Sequence, residues 1–354
     1  MSNNKEDSNV FMISDIHFGV KNNNLEWFNN QLNYFENFLI PKFTKNDILF
    51  ILGDIFDNRS SVNIFVLHKI INQLFRKLSE SVKEIHILTG NHDMYFKDNN
   101  SVTIIDLLKY DNVRIYKDPT LVTIDKQDFL FVPYYEDKLM EQEVMRKFRN
   151  SKTICLMHAD ISGFYYTKNI IADHTNSNDS SVYAGYKHIY SGHFHIRQTK
   201  KNITYIGSPY HIDKNDIGNE KGIYYFDSKF NVDFIPNDYS PKFIKLNSDD
   251  VLNKEFTELN EIMNNNYVDI IVDKDDIESL DIYNRISLYK TAKDINVQII
   301  EKEKDFNIVY DETSKFDLIK LFESFMQQAY NINEIDLVEY VDYVNEKYDN
   351  IKKQ

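Results

Sequence analysis

The feature that most constrains this chain is a recurring pair, a short apolar run with a polar cluster directly after it. Strands are expected at "VFMIS" (10–14), "DILFIL" (47–52), "EIHILT" (84–89), "DFLFV" (128–132), "TICLM" (153–157), "HIYSG" (188–192) and "GIYYFD" (222–227). Helical patterns fall between them, near 25–40, 61–79, 101–110 and 137–149. Alternation of this kind over about the first 235 residues predicts a layered α/β unit. The polar clusters then sit just beyond strand ends, where ligand sites of open α/β sheets gather.

Five clusters carry the chemistry: "SDIHFG" (14–19), "GDIFDNR" (53–59), "GNHD" (90–93), "MHAD" (157–160) and "SGHFH" (191–195). They hold five of the ten histidines, His17, His92, His158, His193 and His195. Polar groups left unpaired at the end of a buried strand are costly, so the clusters need a reason. One of them alone could be a polar turn; five in succession point to a site. Asp, His and Asn supply oxygen and imidazole ligands, a set that suits manganese, iron or zinc. The absence of cysteine ligands argues against structural zinc. In an extended segment the His193-x-His195 spacing turns both imidazoles to one side, so one loop can serve two neighbouring ions. A carboxylate bridging two cations lowers their repulsion, and Asp54 is placed for that role. Ions roughly 3.5–4 Å apart would stabilise both attacking and leaving oxygens in a phosphoryl displacement.

Composition narrows the class. With 354 residues, 42% hydrophobic and 14% aromatic, the chain is long and apolar enough for two or three folded units. The one cysteine, Cys155, excludes an internal disulfide framework and reads as a small buried apolar residue in a reducing cytoplasm. The polar, acidic start "MSNNKEDSNV" is unlike a signal peptide, and no apolar run approaches the roughly 20 residues needed to span a bilayer. A soluble, cytoplasmic protein is expected. The formal net charge of −14 is the wrong sign for a nucleic-acid binder, which normally wants a basic footprint. His68, His86, His174, His188 and His211 lie outside the clusters and read as surface or core residues, with His211, after "IGSPY", nearest to the site.

The pattern changes at "IPNDYSPKF" (235–243), a domain boundary marked by two prolines. A helix, a strand "YVDIIVD" (267–273), a second helix and a strand "NVQIIE" (296–301) follow as a small α/β unit. In "SKFDLIKLFESFMQQAY" (314–330), Leu318, Leu321, Phe322 and Phe325 form one helical stripe. Leu337, Val338, Val341 and Val344 repeat it in "IDLVEYVDYVNEKY" (335–348). Two readings stand for this pair: a hairpin packed on its own core, or helices that bind a partner.

The order and spacing of the five clusters resemble the calcineurin-like metallophosphoesterase superfamily. That resemblance implies an α/β fold: a four-layer αββα metallophosphoesterase sandwich over 1–240, a small α/β cap domain over 241–303, and a linker with a C-terminal helical pair over 304–354. It implies that Asp15, His17, Asp54 and His195 bind one ion, and Asp54, Asn91, His158 and His193 the other. A hydroxide bridging the two would attack phosphorus in line. His92 would face the phosphate and assist the leaving oxygen as proton donor or charge stabiliser, with Asp57 as its partner and Asp93 supporting the loop. The cofactors implied are two divalent metal ions, manganese first and magnesium as the alternative.

Within the superfamily, "GHFH" and "TYIGSPY" resemble the SbcD-type DNA repair nucleases. "GDIFDNR", "GNHDMYFK", "SGHFH", "YIGSPY" and "FDSKFNVDFIPN" are similar to the phage recombination-endonuclease subunits. The resemblance implies DNA as substrate, with 3′-to-5′ exonuclease action on duplex ends and endonuclease action on single strands. It also implies an SbcC-type, SMC-like ATPase partner docked at about 314–350, and a homodimer through helices of the nuclease domain, here 22–39 and 61–75. Two divalent ions add four positive charges where the scissile phosphate sits, which answers part of the charge problem. Arg197 and Lys200–Lys201 are local basic spots. The alternatives are a nucleotide phosphodiesterase or phosphatase of the same fold, which leaves the terminal helices without a task, and a silent scaffold for the ATPase. A scaffold would be expected to lack ligands, and none is missing.

Overall fold

Each of the seven apolar runs forms a strand, and the alternation of side chains along them sets the layers. The computed structural model describes residues 8–173, 180–273 and 279–300. Contacts divide the chain after Glu301, so every described residue belongs to the first unit. The expected segment at 304–354 and His174 lie outside the described residues.

One six-stranded sheet runs Val232–Pro236, Gly222–Phe226, Val10–Ile13, Ile48–Leu52, Glu84–Leu88, Val113–Tyr116. Its last four strands are mutually parallel, and the first two pair antiparallel. The second sheet runs Gln198–Lys200, Ile203–Tyr205, His188–Gly192, Ile154–His158, Gln127–Val132, Thr120–Ile124, parallel in its centre and antiparallel at both edges.

Side chains two apart share a face. Val10, Met12, Ile48, Phe50 and Leu52 of the first sheet meet Phe129, Phe131, Ile154 and Leu156 of the second in one core layer. Phe50 is keyed edge-on to Phe129 and Phe131 at 5.2 and 5.1 Å. The alternate residues Phe11, Ile13, Leu49 and Ile51 pack outward on Phe28, Phe35, Val66, Ile70 and Leu74. Leu130, Val132, Cys155 and Met157 do the same on Met145, Tyr183 and Tyr186. Strands covered on both faces have no need of a polar stripe, which is why they read as unbroken apolar runs. The result is a mixed α/β sandwich of two sheets.

The helices expected near 25–40 and 61–79 are each built with a π-helical turn: Leu25–Tyr34 continues through Phe35–Leu39, and Ile64–Lys69 through Ile70–Leu74 to Phe75–Ser81. Lys138–Lys147 forms as expected, its N-terminus capped by the Asp137 carboxylate. The helix expected near 101–110 does not form. Its "VTII" run is β-branched, which opposes helix; a short 3₁₀ turn, Ile104–Leu107, is enough to bury Ile105. The edge strand Val113–Tyr116 then takes the place next to Glu84–Leu88.

Residues 243–300 build a three-stranded parallel sheet, Phe243–Asn247, Tyr267–Asp273, Asp294–Ile300, with its own core around Val251, Leu259, Met263, Val268 and Ile270. Its first strand, "FIKLN", was not expected from the sequence: five residues with a lysine give too short an alternation. The sheet meets the sandwich through Trp27, which stacks on Phe243 at 5.5 Å and lies against Tyr267 at 5.2 Å.

Candidate active site

Parallel strands deliver their C-terminal ends to one edge, and all five clusters leave from that edge. The loop after Val10–Ile13 runs alongside the loop after Ile48–Leu52: Asp15, Ile16 and His17 N–H groups donate to the carbonyls of Gly53 and Asp54 at 3.2, 2.9 and 3.1 Å. Asp15, His17 and Asp54 are held there at φ near 53°, 52° and 54°, and His193 at 93°. Left-handed backbone at non-glycine residues costs on the order of 1 kcal/mol each and persists where surroundings impose it. Gly53 allows the approach: a Cβ on it would lie 2.5 Å from His158 Nδ1 and 2.8 Å from Gly90. Gly192 is equally constrained, with Ser14 Oγ at 2.0 Å.

The structure brings all nine expected residues, Asp15, His17, Asp54, Asp57, Asn91, His92, His158, His193 and His195, to this edge. His17 Nε2 and His195 Nε2 face each other at 3.0 Å, and ligand atoms of Asp15, His17 and His195 lie within 4.8 Å of one another. Asp54, His158 and His193 form a second such group, and His17, Asp57 and His92 a third at the rim. Asn91 Oδ1 is 3.0 Å from both His158 Nε2 and His193 Nδ1. Asp54 reaches the first two groups: its Oδ2 is 3.3 Å from His158 Nε2 and 3.8 Å from His17 Nε2. His158 Nδ1 donates to the Leu52 carbonyl at 2.7 Å, which leaves Nε2 to face Asp54 and Asn91. His193 N–H donates to the Asp15 carboxylate at 3.0 Å.

His92 stands at the rim. Its N–H donates to Asp54 Oδ1 at 2.8 Å, and its Nδ1 lies 2.5 Å from the main-chain carbonyl of Asp57. The expected partnership with Asp57 thus runs through the backbone; the Asp57 carboxylate instead faces His17 Nδ1 at 3.4 Å. Asp93 accepts from the N–H groups of Asp54 and Gly90 on one oxygen and of Ile55 and Phe56 on the other, at 2.9 to 3.3 Å, and so ties two loops together.

Charge follows geometry. Burial presses the His158 imidazole down, but the adjacent Asp54 outweighs it and raises it to about 9. Burial works against the Asp54 carboxylate too, and His158 and His17 hold it well below the usual range. Burial lowers His17, while Asp57, Asp54 and Asp15 together raise it. Burial and the charge on His158 push His193 down to about 3, and burial and His17 push His195 far down. The two imidazoles raised by their acidic neighbours, His158 and His17, thus stand against two lowered by burial, His193 and His195. Buried His17 Nδ1 makes no well-aligned hydrogen bond and has the Asp57 carboxylate at 3.4 Å as its neighbour. A set of oxygen and imidazole donors in two groups sharing Asp54, with protons compensating the carboxylates, fits divalent cations.

The groups open into a cleft of about 280 Å³ lined by His17, Asp54, Asp57, His92, His193 and His195, with Tyr166, Thr167 and Asp213 on its walls. Sequence reasoning missed Tyr134, whose ring lies 5.7 Å from that of His193. It follows the strand Gln127–Val132, so strand-end position alone could have found it. Among the outlying histidines, His211 is buried and accepts the Phe243 N–H at 3.2 Å. Buried Cys155 lies in the outer core layer, as expected.

A two-sheet sandwich with this donor set at one edge defines a phosphoesterase of the calcineurin-like class. The family described as calcineurin-like phosphoesterase matches residues 8–197, and the chain belongs to it. Among curated proteins, the chain is similar to "Exonuclease subunit 1" of Enterobacteria phage T4, 29% identical over 192 residues, 52% of this chain and 54% of that protein. It is also similar to "DNA double-strand break repair protein Mre11" of Methanocaldococcus jannaschii, 27% identical over 270 residues, 70% of this chain and 68% of that protein. The first match spans about half the length of the phage protein. No helix among the described residues is long and apolar enough to cross a membrane.

Proposed function

We propose that this chain is a metal-dependent DNA nuclease, the nuclease subunit of a recombination or repair complex. The observation that carries the reading is the pair of donor groups joined by Asp54, with His92 fixed at their rim. The names of the two relatives, an exonuclease subunit and a double-strand break repair protein, support DNA over a small ester as substrate. Asp15, His17, Asp54 and His195 would hold one ion, manganese in the first instance, and Asp54, Asn91, His158 and His193 the other. Such ions supply Lewis-acid chemistry, neutralising phosphate oxygens and acidifying an attacking water.

The chain's own part is positioning and proton transfer. With Nδ1 committed to the Asp57 carbonyl, His92 turns Nε2 to the cleft. As the P–O bond breaks, its electron pair passes to the leaving oxygen, which takes the Nε2 proton of the His92 imidazolium and leaves the neutral ring with its proton on Nδ1. Asp54 accepts the His92 N–H, so the residue shared by both groups also sets where the imidazole stands.

Residues 241–303 act as the cap that presents DNA, and the segment at about 314–350 docks an SMC-like ATPase; the helical stripes and the subunit status of the phage relative support this. A homodimer forms through the helices at 22–39 and 61–75, where Ile64, Phe65 and Leu25 stand exposed. The protein works in the cytoplasm, that of the host cell if phage-encoded. With a net charge of −14, the subunit alone holds DNA by few phosphate contacts, and its activity falls steeply with salt.

The test is cleavage of end-labelled duplex and single-stranded DNA with manganese, wild type beside His92→Ala, with a chelator control. The expected result is metal-dependent cutting, lost in the variant while bound metal is retained. No cutting of either DNA, with brisk hydrolysis of a small phosphate ester, would move the protein to the phosphatase branch.

A further inference from the structure

The stretch "IGSPYH" (206–211) is buried throughout, lies outside helix and strand, and has no task in the chemistry above. Buried irregular backbone must place its polar groups somewhere, and here they go to several different elements. Ser208 N–H donates to the His195 carbonyl at 3.2 Å. Tyr210 O–H donates to the Ile16 carbonyl at 2.7 Å. His211 Nδ1 accepts the N–H of Phe243, first residue of the three-stranded sheet, at 3.2 Å. The Pro209 carbonyl accepts from Asn237 Nδ2 at 2.8 Å. Gly207 sits at φ 74°, and a Cβ there would come within 2.8 Å of the His195 carbonyl.

Two further side chains lock the same points. Lys221 Nζ donates to the His195 carbonyl at 2.7 Å, to Ser208 Oγ at 2.9 Å and to Asp216, which satisfies all three of its protons. Gln31 Nε2 contacts the Ile16 and His17 carbonyls at 2.9 and 3.1 Å and the Tyr210 hydroxyl at 2.9 Å. Gln31 lies on the helix Leu25–Tyr34, which the three-stranded sheet also grips through Trp27 and through Tyr267, whose hydroxyl accepts from Asn30.

We propose that residues 206–211 are a positioning strap that sets the spacing of His17 and His195 and couples it to the seating of the three-stranded sheet. The proposal rests on the two-ion reading above. The strap holds the carbonyl beside one ring and the carbonyl of the residue before the other, and the rings meet at 3.0 Å. Asn91, His158 and His193 make none of these bonds, so the strap acts on one donor group and spares the other. Outer partners of this kind typically tune metal affinity by about 10- to 100-fold. Coupling is reciprocal: an ion held by His17 and His195 must in turn seat the sheet more firmly.

The experiment titrates full-length wild type, Tyr210→Phe and His211→Leu with manganese alone by calorimetry, alongside hydrogen exchange at the Phe243 amide. Tyr210→Phe keeps the ring, packed edge-on to Tyr34 at 5.2 Å, and deletes only the hydroxyl, with its bond to the Ile16 carbonyl and the one it accepts from Gln31 Nε2. One of two binding steps weakens on the order of tenfold in Tyr210→Phe, and a few-fold in His211→Leu, while the other step stays put. In wild type, manganese slows exchange at Phe243; this arm needs no variant to fold. Equal weakening of both steps, no change in either, or exchange at Phe243 indifferent to manganese overturns the strap and leaves the two-ion reading intact. A wild type that binds no manganese overturns the two-ion reading, and the strap with it.

Discussion

The two sheets contribute unequally to the site. The first supplies every carboxylate of the donor groups, Asp15, Asp54 and Asp57, together with His17, Asn91 and His92. The second supplies imidazoles alone, His158, His193 and His195. Strain is divided in the same way: three of the four left-handed site residues belong to the first sheet. Two of the donor groups draw on both edges, and the third, His17, Asp57 and His92, lies on the first alone. The acidic edge concentrates negative charge in a buried place, which is unfavourable until something positive arrives. The imidazole edge supplies it in the metal-free protein as a proton on His158. The two halves are thus complementary before any ion enters, and an ion replaces protons that geometry has already invited.

The comparison breaks most completely at Asp54, the residue that reaches both groups. Asp54→Ala removes the shared carboxylate and the acceptor of the His92 N–H together. DNA cleavage should fall by at least about 10⁴-fold, with both ions lost, as manganese content after gel filtration would report. Retention of two ions would mean that each edge holds its own. His92→Ala tests the rim without the donor groups. Cleavage should fall by about 10²- to 10⁴-fold with both ions retained, and loss of metal along with activity would make His92 a ligand.

Much of this was legible in the sequence because the constraint is local. An apolar run buried on both faces announces a strand, and a polar cluster directly after it announces an edge; the five clusters were found in that way, and the family resemblance picked out the nine residues within them. What escaped reading depends on pairing across distance. Strand Phe243–Asn247 is recognisable only by its parallel partner Tyr267–Asp273. Residues 101–110 look apolar enough for a helix, yet a β-branched run and two buried anchors, Ile105 and Leu108, settle for a turn. Tyr134 acts on the site through a ring contact at which only its place after a strand hints, and Lys221 through a carbonyl, which has no sequence signature.

Proton displacement sharpens the contrast between the edges. His158 is raised to about 9 by Asp54, above its ordinary value near 6.5. A group whose folded pKa is raised stabilises the fold fully below the unfolded value and loses that contribution as pH rises through the folded one. The chelated protein should therefore lose thermal stability between about pH 6.5 and 9. Over the same window manganese should bind more tightly, about tenfold per pH unit, since the ion competes with one fewer proton. Calorimetry at pH 7, 8 and 9 in two buffers of different ionisation enthalpy would count about one proton released on filling the His158 group. Affinity that is flat across that range would show a neutral His158 and an acidic edge compensated in some other way.

The smallest effect belongs to Asp57, where sequence and structure assign different work to one residue. The sequence pattern gives its carboxylate to His92; the geometry gives His92 the main-chain carbonyl and turns the carboxylate, about one-third exposed, to His17 at 3.4 Å. Asp57→Asn leaves the carbonyl in place, so the imidazole of His92 keeps its orientation. What weakens is the support of His17, through a partly solvated pair that water already screens. Cleavage at saturating manganese should drop by no more than about tenfold, with the larger change in the manganese concentration needed for half-maximal rate. A fall matching that of His92→Ala, at unchanged metal affinity, would restore the carboxylate to His92 and place the orienting group of the reaction in the side chain rather than the backbone.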